Sequence, residues 1–136
     1  MSSAHLTPAT DLAGYLTRYA EEITFGDEEP GTVMDRYHTP DYELVNDGIL
    51  LDRQRLLDHV HSGRRRAAAV RVEVDEALVS GDRVAARYRL TASMRRGNVI
   101  STEIHMFGRL ADDGRLRRAT QLTRTIPASD GGATGP

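Results

Sequence analysis

The chain has 136 residues, no cysteine, and 18 Lys and Arg against 20 Asp and Glu, a net charge of -2. That length suits one domain with one core, and the near-neutral charge supplies no field for gathering nucleic acid or an anionic membrane surface, so neither is expected as a partner. Lack of cysteine excludes disulfides, zinc-thiolate sites and cysteine nucleophiles. With no signal-like N-terminus and no apolar run approaching about 18 residues, the expectation is a soluble, cytoplasmic protein.

Residues 1–9 lack periodicity and "PASDGGATGP" from 127 onward is small and polar, so 1–9 and 127–136 read as disordered tails flanking one domain over 10–126. Thr10 or Asp11 can cap a first helix whose apolar positions Leu12, Tyr15, Leu16, Tyr19 and Ile23 recur at three- and four-residue spacing, with Gly26 at its end. After "DEEPG", Val33, Met34 and Tyr37 suit a short second helix that stops near Thr39-Pro40. Residues 41–46 and 49–51 read as two strands around "NDG", and Asp52 caps a third helix with Leu56, Leu57 and Val60 on its buried face.

From Val70 the period changes from 3.6 to 2. Four long strand candidates, "VRVEVDEALV", "RVAARYRLTASM", "VISTEIHMFGRL" and "LRRATQLTRTI", are joined by "SGD", "RRGN" and "ADDG", all turn chemistry that makes neighbours antiparallel. Helices first and a meander second give an α+β class with helices covering one sheet face. A three-residue "RGN" loop would set Arg95 opposite Val99 and Met94, Ala92, Leu90 and Tyr88 opposite Ile100, Thr102, Ile104 and Met106. One face is then apolar, while Arg87, Arg89 and Thr91 share the other with Ser101, Glu103 and His105.

The order helix, short helix, hairpin, helix, four-strand meander, with "RYAEEITFGD", "TPDYELVNDG" and "MFGRLADDGRL", resembles the NTF2-like superfamily, in particular SnoaL-like polyketide cyclases and ketosteroid isomerases. The resemblance implies an NTF2-like cone, α-α-β-β-α-β-β-β-β, in which three helices pack on a curved antiparallel sheet around a pocket for a small apolar oxygenated metabolite. It also implies two site residues. Tyr19, seven residues before the Gly of "GD", matches the isomerase tyrosine that hydrogen-bonds a developing enolate, and Asp47 matches the proton-abstracting aspartate. The family's third acid falls at Met106 or His105, neither a carboxyl, so steroid isomerisation itself is not expected.

Asp47 has two readings. As a turn residue it bonds its own backbone; beside an apolar cavity its carboxyl would be desolvated towards a working general base. His105 titrates near neutrality, but the register sets it on the polar face unless a bulge turns it inward. His59 and His61 point apart on a helix, "GRRRAAA" is a solvated helix end, and no metal or phosphate-loop motif occurs. The expected function is a cofactor-independent cyclase or isomerase with Asp47, Tyr19 and His105 as candidate catalytic residues. Tyr15, Tyr88, Leu90, Ile104 and Met106 are the expected substrate contacts. The alternative is a non-catalytic dimeric ligand- or partner-binding protein. A homodimer through part of the face carrying Phe107, Arg87, Arg89, Glu103 and His105 is expected in either case.

Overall fold

The computed structural model describes residues 6–127. Expectations for residues 1–5 and 128–136 lie outside these. Helix α1 (Leu12–Phe25) starts where Asp11 accepts a hydrogen bond from the Gly14 N–H at 2.9 Å, and buries Leu12, Tyr15, Leu16 and Ile23. It ends at Gly26, whose N–H donates to Glu22 O; a Cβ there would lie 2.5 Å from that same carbonyl, so the close approach requires glycine. Helix α2 (Pro30–Tyr37) opens on a proline and buries Val33, Met34 and Tyr37. Strands β1 (His38–Asn46) and β2 (Ile49–Leu51) flank a turn in which Asp47 (φ 51°) and Gly48 (φ 86°) are both left-handed. Helix α3 (Arg53–Arg66) is capped by Asp52 and half-buries Leu56, Leu57 and Val60.

The four long strands follow as β3 (Ala67–Ser80), β4 (Arg83–Met94), β5 (Val99–Leu110) and β6 (Leu116–Ile126). The element order is the expected one. The sheet runs β2-β1-β6-β5-β4-β3, and β1 lies parallel to β6, so the expectation of a wholly antiparallel sheet is corrected at that one seam. Register shifts in β1, in β3 and near the end of β5 bend the strands and curve the sheet around α1 into an unclosed cone.

Strand β1 begins at His38, directly after α2, and not at residue 41, and two further boundaries differ from expectation. Strand β3 begins at Ala67, directly after the helix, because Arg95 N–H donates to Arg66 O at 2.8 Å and ties the junction to the β4–β5 turn. At the N-terminus, residues 6–9 are packed: Pro8 is fully buried, Leu6 lies against the core, and Ala9 N–H donates to Gly114 O at 3.2 Å.

The β4–β5 register also needs correction. Ser93 pairs with Val99, Leu90 with Thr102 and Tyr88 with Ile104, a slip of two residues from the expected pairing, because Met94 to Asn98 form a wider turn closed by Met94 N–H donating to Asn98 O. A slip of two leaves every side chain on its face. Val84, Ala86, Tyr88, Ile104 and Met106 are accordingly buried inside, while Arg87 pairs with His105 and Arg89 with Glu103 on the outer face. Among the described residues no helix is long and apolar enough to cross a membrane.

Leu116 has no exposed surface and its side chain covers Gly108 on β5, where a Cβ would come within 2.7 Å of Leu116 Cδ2. Leu116→Ala is expected to cost about 2–5 kcal/mol, read as a shift in the urea midpoint at unchanged slope.

Candidate functional site

Helical spacing sets Tyr15 and Tyr19 one turn apart on the face of α1 that meets the sheet, where their rings stack at 5.7 Å and 23°. Alternation along β4 adds Tyr88, Leu90 and Ala92 from the opposite wall, and β1 adds Tyr42. Together with residues of α3, β3 and β5 they enclose an apolar cavity of about 480 Å³. Its lining includes one exposed residue, His59 on α3, where the cavity reaches the surface.

The most unusual group in the wall is His38, 1% exposed, at the junction of α2 and β1. Its backbone N–H closes the helix on Met34 O, and its ring folds back so that Nδ1 lies 2.8 Å from the same carbonyl. A carbonyl only accepts, so Nδ1 carries the proton. Burial, reinforced by the Arg115 guanidinium and opposed by the bond to Met34, pushes the His38 pKa down to about 4. The ring is therefore neutral near pH 7, its Nε2 is bare, and it accepts the Tyr15 hydroxyl at 2.6 Å. Arg115 pins the junction from outside, donating to Asp35 O at 3.0 Å and His38 O at 3.3 Å.

Around this pair the aromatic rings close in. Tyr19 meets the His38 ring edge-on at 4.8 Å and Tyr42 lies 4.3 Å away. Tyr19, Tyr42 and Tyr88 donate their hydroxyls to no group among the described residues. No enclosed side-chain nitrogen or oxygen among those residues lacks a partner either, so the three hydroxyls are open to the cavity. Burial raises the pKa of each, and neighbouring phenols raise Tyr19 and Tyr42 further. Tyr15 is raised by burial and by the phenols around it. All four remain protonated donors at neutral pH.

The structure divides the expected site residues. Tyr15, Tyr19, Tyr88, Leu90 and Ile104 line the cavity together. Met106 is buried in the core without lining it. His105 is exposed on the outer face, 3.8 Å from Glu103, and β4 and β5 pair through that region without a bulge. Asp47 stands in the exposed turn, where its carboxylate accepts from the Thr123 N–H at 2.8 Å and from the Thr123 hydroxyl. These two bonds hold its pKa below the ordinary carboxylate range. The cavity wall at that edge is made by Gln121, whose amide donates to Asn46 Oδ1 at 2.9 Å. Among the described residues no group of His, Asp and Glu converges to hold a metal ion.

His38 and Tyr42 were missed by the sequence reading. The available signal was "YHTPDY", a histidine at a helix-to-strand boundary with a tyrosine four residues on. That spacing aligns with nothing in α1 until the strand is paired.

A family model described as the SnoaL-like domain matches residues 7–119. Among solved structures, AclR, a proposed hydroxylase from Streptomyces galilaeus, is 17% identical with a TM-score of 0.66, covering 85% of this chain and 90% of that one. IdmH, a proposed polyketide cyclase from Streptomyces antibioticus, is 18% identical with a TM-score of 0.64 over 85% and 91%. An NTF2-like protein from Anabaena variabilis is 12% identical with a TM-score of 0.64 over 98% of each chain. No curated protein matches. At such identities the structural neighbours show the fold alone, but the family match spans most of the described residues: the chain belongs to the SnoaL-like domain family and has the NTF2-like fold.

Proposed function

We propose that this SnoaL-like chain is a cytoplasmic, cofactor-independent cyclase or isomerase of an apolar oxygenated, polyketide-like metabolite, working by acid/base chemistry in the cone cavity. The observation that carries this reading is the neutral Tyr15–His38 pair, hydrogen-bonded at 2.6 Å and facing an apolar cavity with three further phenol donors. Structural likeness to a proposed polyketide cyclase supports the substrate class by analogy only.

In this reading His38 takes the role that sequence comparison gave to Asp47. A pKa of about 4 makes it as basic as an ordinary carboxylate, yet it is uncharged, so no buried ion has to be stripped of water. A proton leaves the carbon next to the substrate carbonyl for Tyr15 Oη as the Tyr15 proton passes to His38 Nε2, giving an enolate and an imidazolium. Tyr19, with Tyr42 or Tyr88, donates to the enolate oxygen, where fixed donors in a water-poor site act most strongly. The enolate carbon then attacks a second carbonyl, or is protonated at another position, and the relay returns its proton to the product. Holding a flexible substrate in the reactive shape contributes further, through the walls made by Leu90 and Ile104.

A second reading, a non-catalytic ligand-binding module, is favoured by one observation: Asp47 lies outside the cavity wall. The two are separated by following solvent deuterium into the α-carbon of bound apolar 1,3-diketones and cyclic enones by NMR. His38→Gln keeps an N–H for Met34 O and an oxygen for Tyr15 but removes the basic nitrogen. It is expected to slow exchange on the order of 100-fold or more without loss of probe binding. Tyr15→Phe and Tyr19→Phe are expected to slow it as well, while Asp47→Asn leaves it unchanged. Binding without exchange in the unaltered protein supports the second reading, and a loss confined to Asp47→Asn returns the proton transfer to that residue.

The same histidine has a stability signature. Its folded pKa of about 4 lies below the ordinary 6.5, so as pH falls the unfolded chain takes up this proton first. The contribution is complete above pH 6.5 and disappears as pH falls towards 4, a loss of about 2 kcal/mol between pH 7 and 5. Urea titrations are expected to show this slope, and His38→Gln to remove it.

The proposed assembly is a homodimer through the outer sheet face. Leu78 and Phe107, 67% and 68% exposed, lie in one cross-strand row through Ala85, with Leu122 nearby at 65%. The ion pair of Arg87 with Glu76 borders this apolar row, and those of Arg89 with Glu73 and of Arg124 with Glu103 lie one row further on the same face, the composition of a polar-rimmed interface. Sedimentation is expected to give a dimer at micromolar concentration that Phe107→Glu converts to monomer.

A further inference from the structure

Beside the main cavity a second concavity of about 320 Å³ is lined by Arg65, Arg66, Arg95 and Arg96 with Met94 and Asn98. Its two halves are far apart in sequence. The end of α3 supplies Arg65 and Arg66, the β4–β5 turn supplies Arg95 and Arg96, and the Arg95 N–H bond to Arg66 O joins them. Met94 lines this concavity and the main cavity, and Ala67, next to Arg66, also lines the main cavity, so the two spaces share a wall.

The charge here is uncompensated. Elsewhere nine arginines pair with carboxylates, among them Arg36 with Glu22 and Glu28, Arg53 with Asp35, Arg87 with Glu76 and Arg118 with Glu43, and Arg64 donates to backbone carbonyls. Arg18, Arg55, Arg83 and Arg117 also stand without a carboxylate among the described residues, but the four here are gathered around one concavity. None of the four rim arginines has a carboxylate within 4.0 Å among the described residues, and no acidic residue lines the concavity. A solvated helix end accounts for Arg65 and Arg66, which suit the negative end of the α3 dipole. It does not account for two more arginines brought to the same place from another element of a chain whose net charge is -2.

We infer that this arginine rim is an anion-binding subsite, and that the ligand is an amphiphile whose apolar oxygenated body fills the cavity and whose far end carries a carboxylate or a phosphate. The inference rests on reading the cavity as a small-molecule site. Guanidinium groups suit both anions because their paired N–H groups match two oxygens at once. Scale follows from β4: Tyr88, beside the Tyr15–His38 pair, and Met94, at the rim, are six residues apart on one strand, about 20 Å at the usual rise. An arginine reaching inward shortens that span, so a linker of several carbons joins the two ends.

The test uses 2-acetonaphthone carrying a six-carbon chain that ends in a hydroxyl, a carboxylate or a phosphate monoester, with binding followed by fluorescence at low salt. Both anionic probes are expected to bind about tenfold or more tightly than the hydroxyl probe, with the advantage shrinking as salt is raised. Carboxylate and phosphate arms show which anion is preferred. Arg95→Ala with Arg96→Ala, both on an exposed turn, is expected to remove the advantage while leaving the melting temperature and the hydroxyl probe's affinity unchanged. Arg65→Ala with Arg66→Ala is expected to do the same, should the first pair fail to fold. Equal affinity for the three probes, or an anionic preference that survives both double variants, overturns the subsite and leaves the cavity reading standing. Failure of all three probes to bind removes the cavity reading, and the subsite with it.

Discussion

The parallel pairing of β1 with β6 is the constraint on which the rest of the molecule depends. Without it the six-strand sheet would be two separate pieces, a hairpin of β1 and β2 ending at Leu51 and a four-strand meander beginning at Ala67. The seam sets His38 opposite Leu116 and Asn46 opposite Gln121, closing one side of the cone. It also absorbs a register shift between His38 and Glu43, so β1 bends where it leaves α2. That bend lets the His38 ring turn back to Met34 O and still meet Tyr15. The same seam carries Asp47 to Thr123, where the carboxylate is spent on two hydrogen bonds to β6.

Burial of neutral polar groups, not of ions, gives the cavity its character. The wall holds four phenols and an imidazole with its protons already assigned: Met34 fixes the tautomer, and the bare Nε2 fixes the direction of the Tyr15 hydroxyl. An ionised carboxylate in the same place would need a partner or a high pKa. The ion pairs lie outside this core. Arg36 and Tyr37 both bond Glu22, holding α2 against α1 behind the aromatic cluster, and the outer sheet face carries the ladder of Arg89 with Glu73 and Asp75. Such half-exposed pairs set orientation more than stability.

This separation of charge from cavity also explains why the two faces of one strand serve different ends. On β4, Tyr88 and Leu90 face the cavity while Arg87 and Arg89 face outward, and at the strand's end the turn delivers Arg95 and Arg96 to the rim. The strand is a ruler from the deepest phenols to the surface.

Local chemistry was legible from sequence. Asp11 and Asp52 cap helices where the spacing begins, "NDG" makes the turn, and period-two alternation sorts β4 and β5 correctly onto their faces even though their pairing is two residues off, because the side-chain period is itself two. The family and its fold followed from the same pattern, as did the presence of Tyr15, Tyr19, Tyr88, Leu90 and Ile104 in one region of the chain's interior. The turn signal at Asp47 was right as a turn; what the carboxylate touches was not readable, since Thr123 is far along the chain. His38 was invisible for the same reason. A histidine's charge, tautomer and reach depend on burial and on partners from α1, α2 and β6, and those are brought together only when β1 pairs in parallel with the last strand.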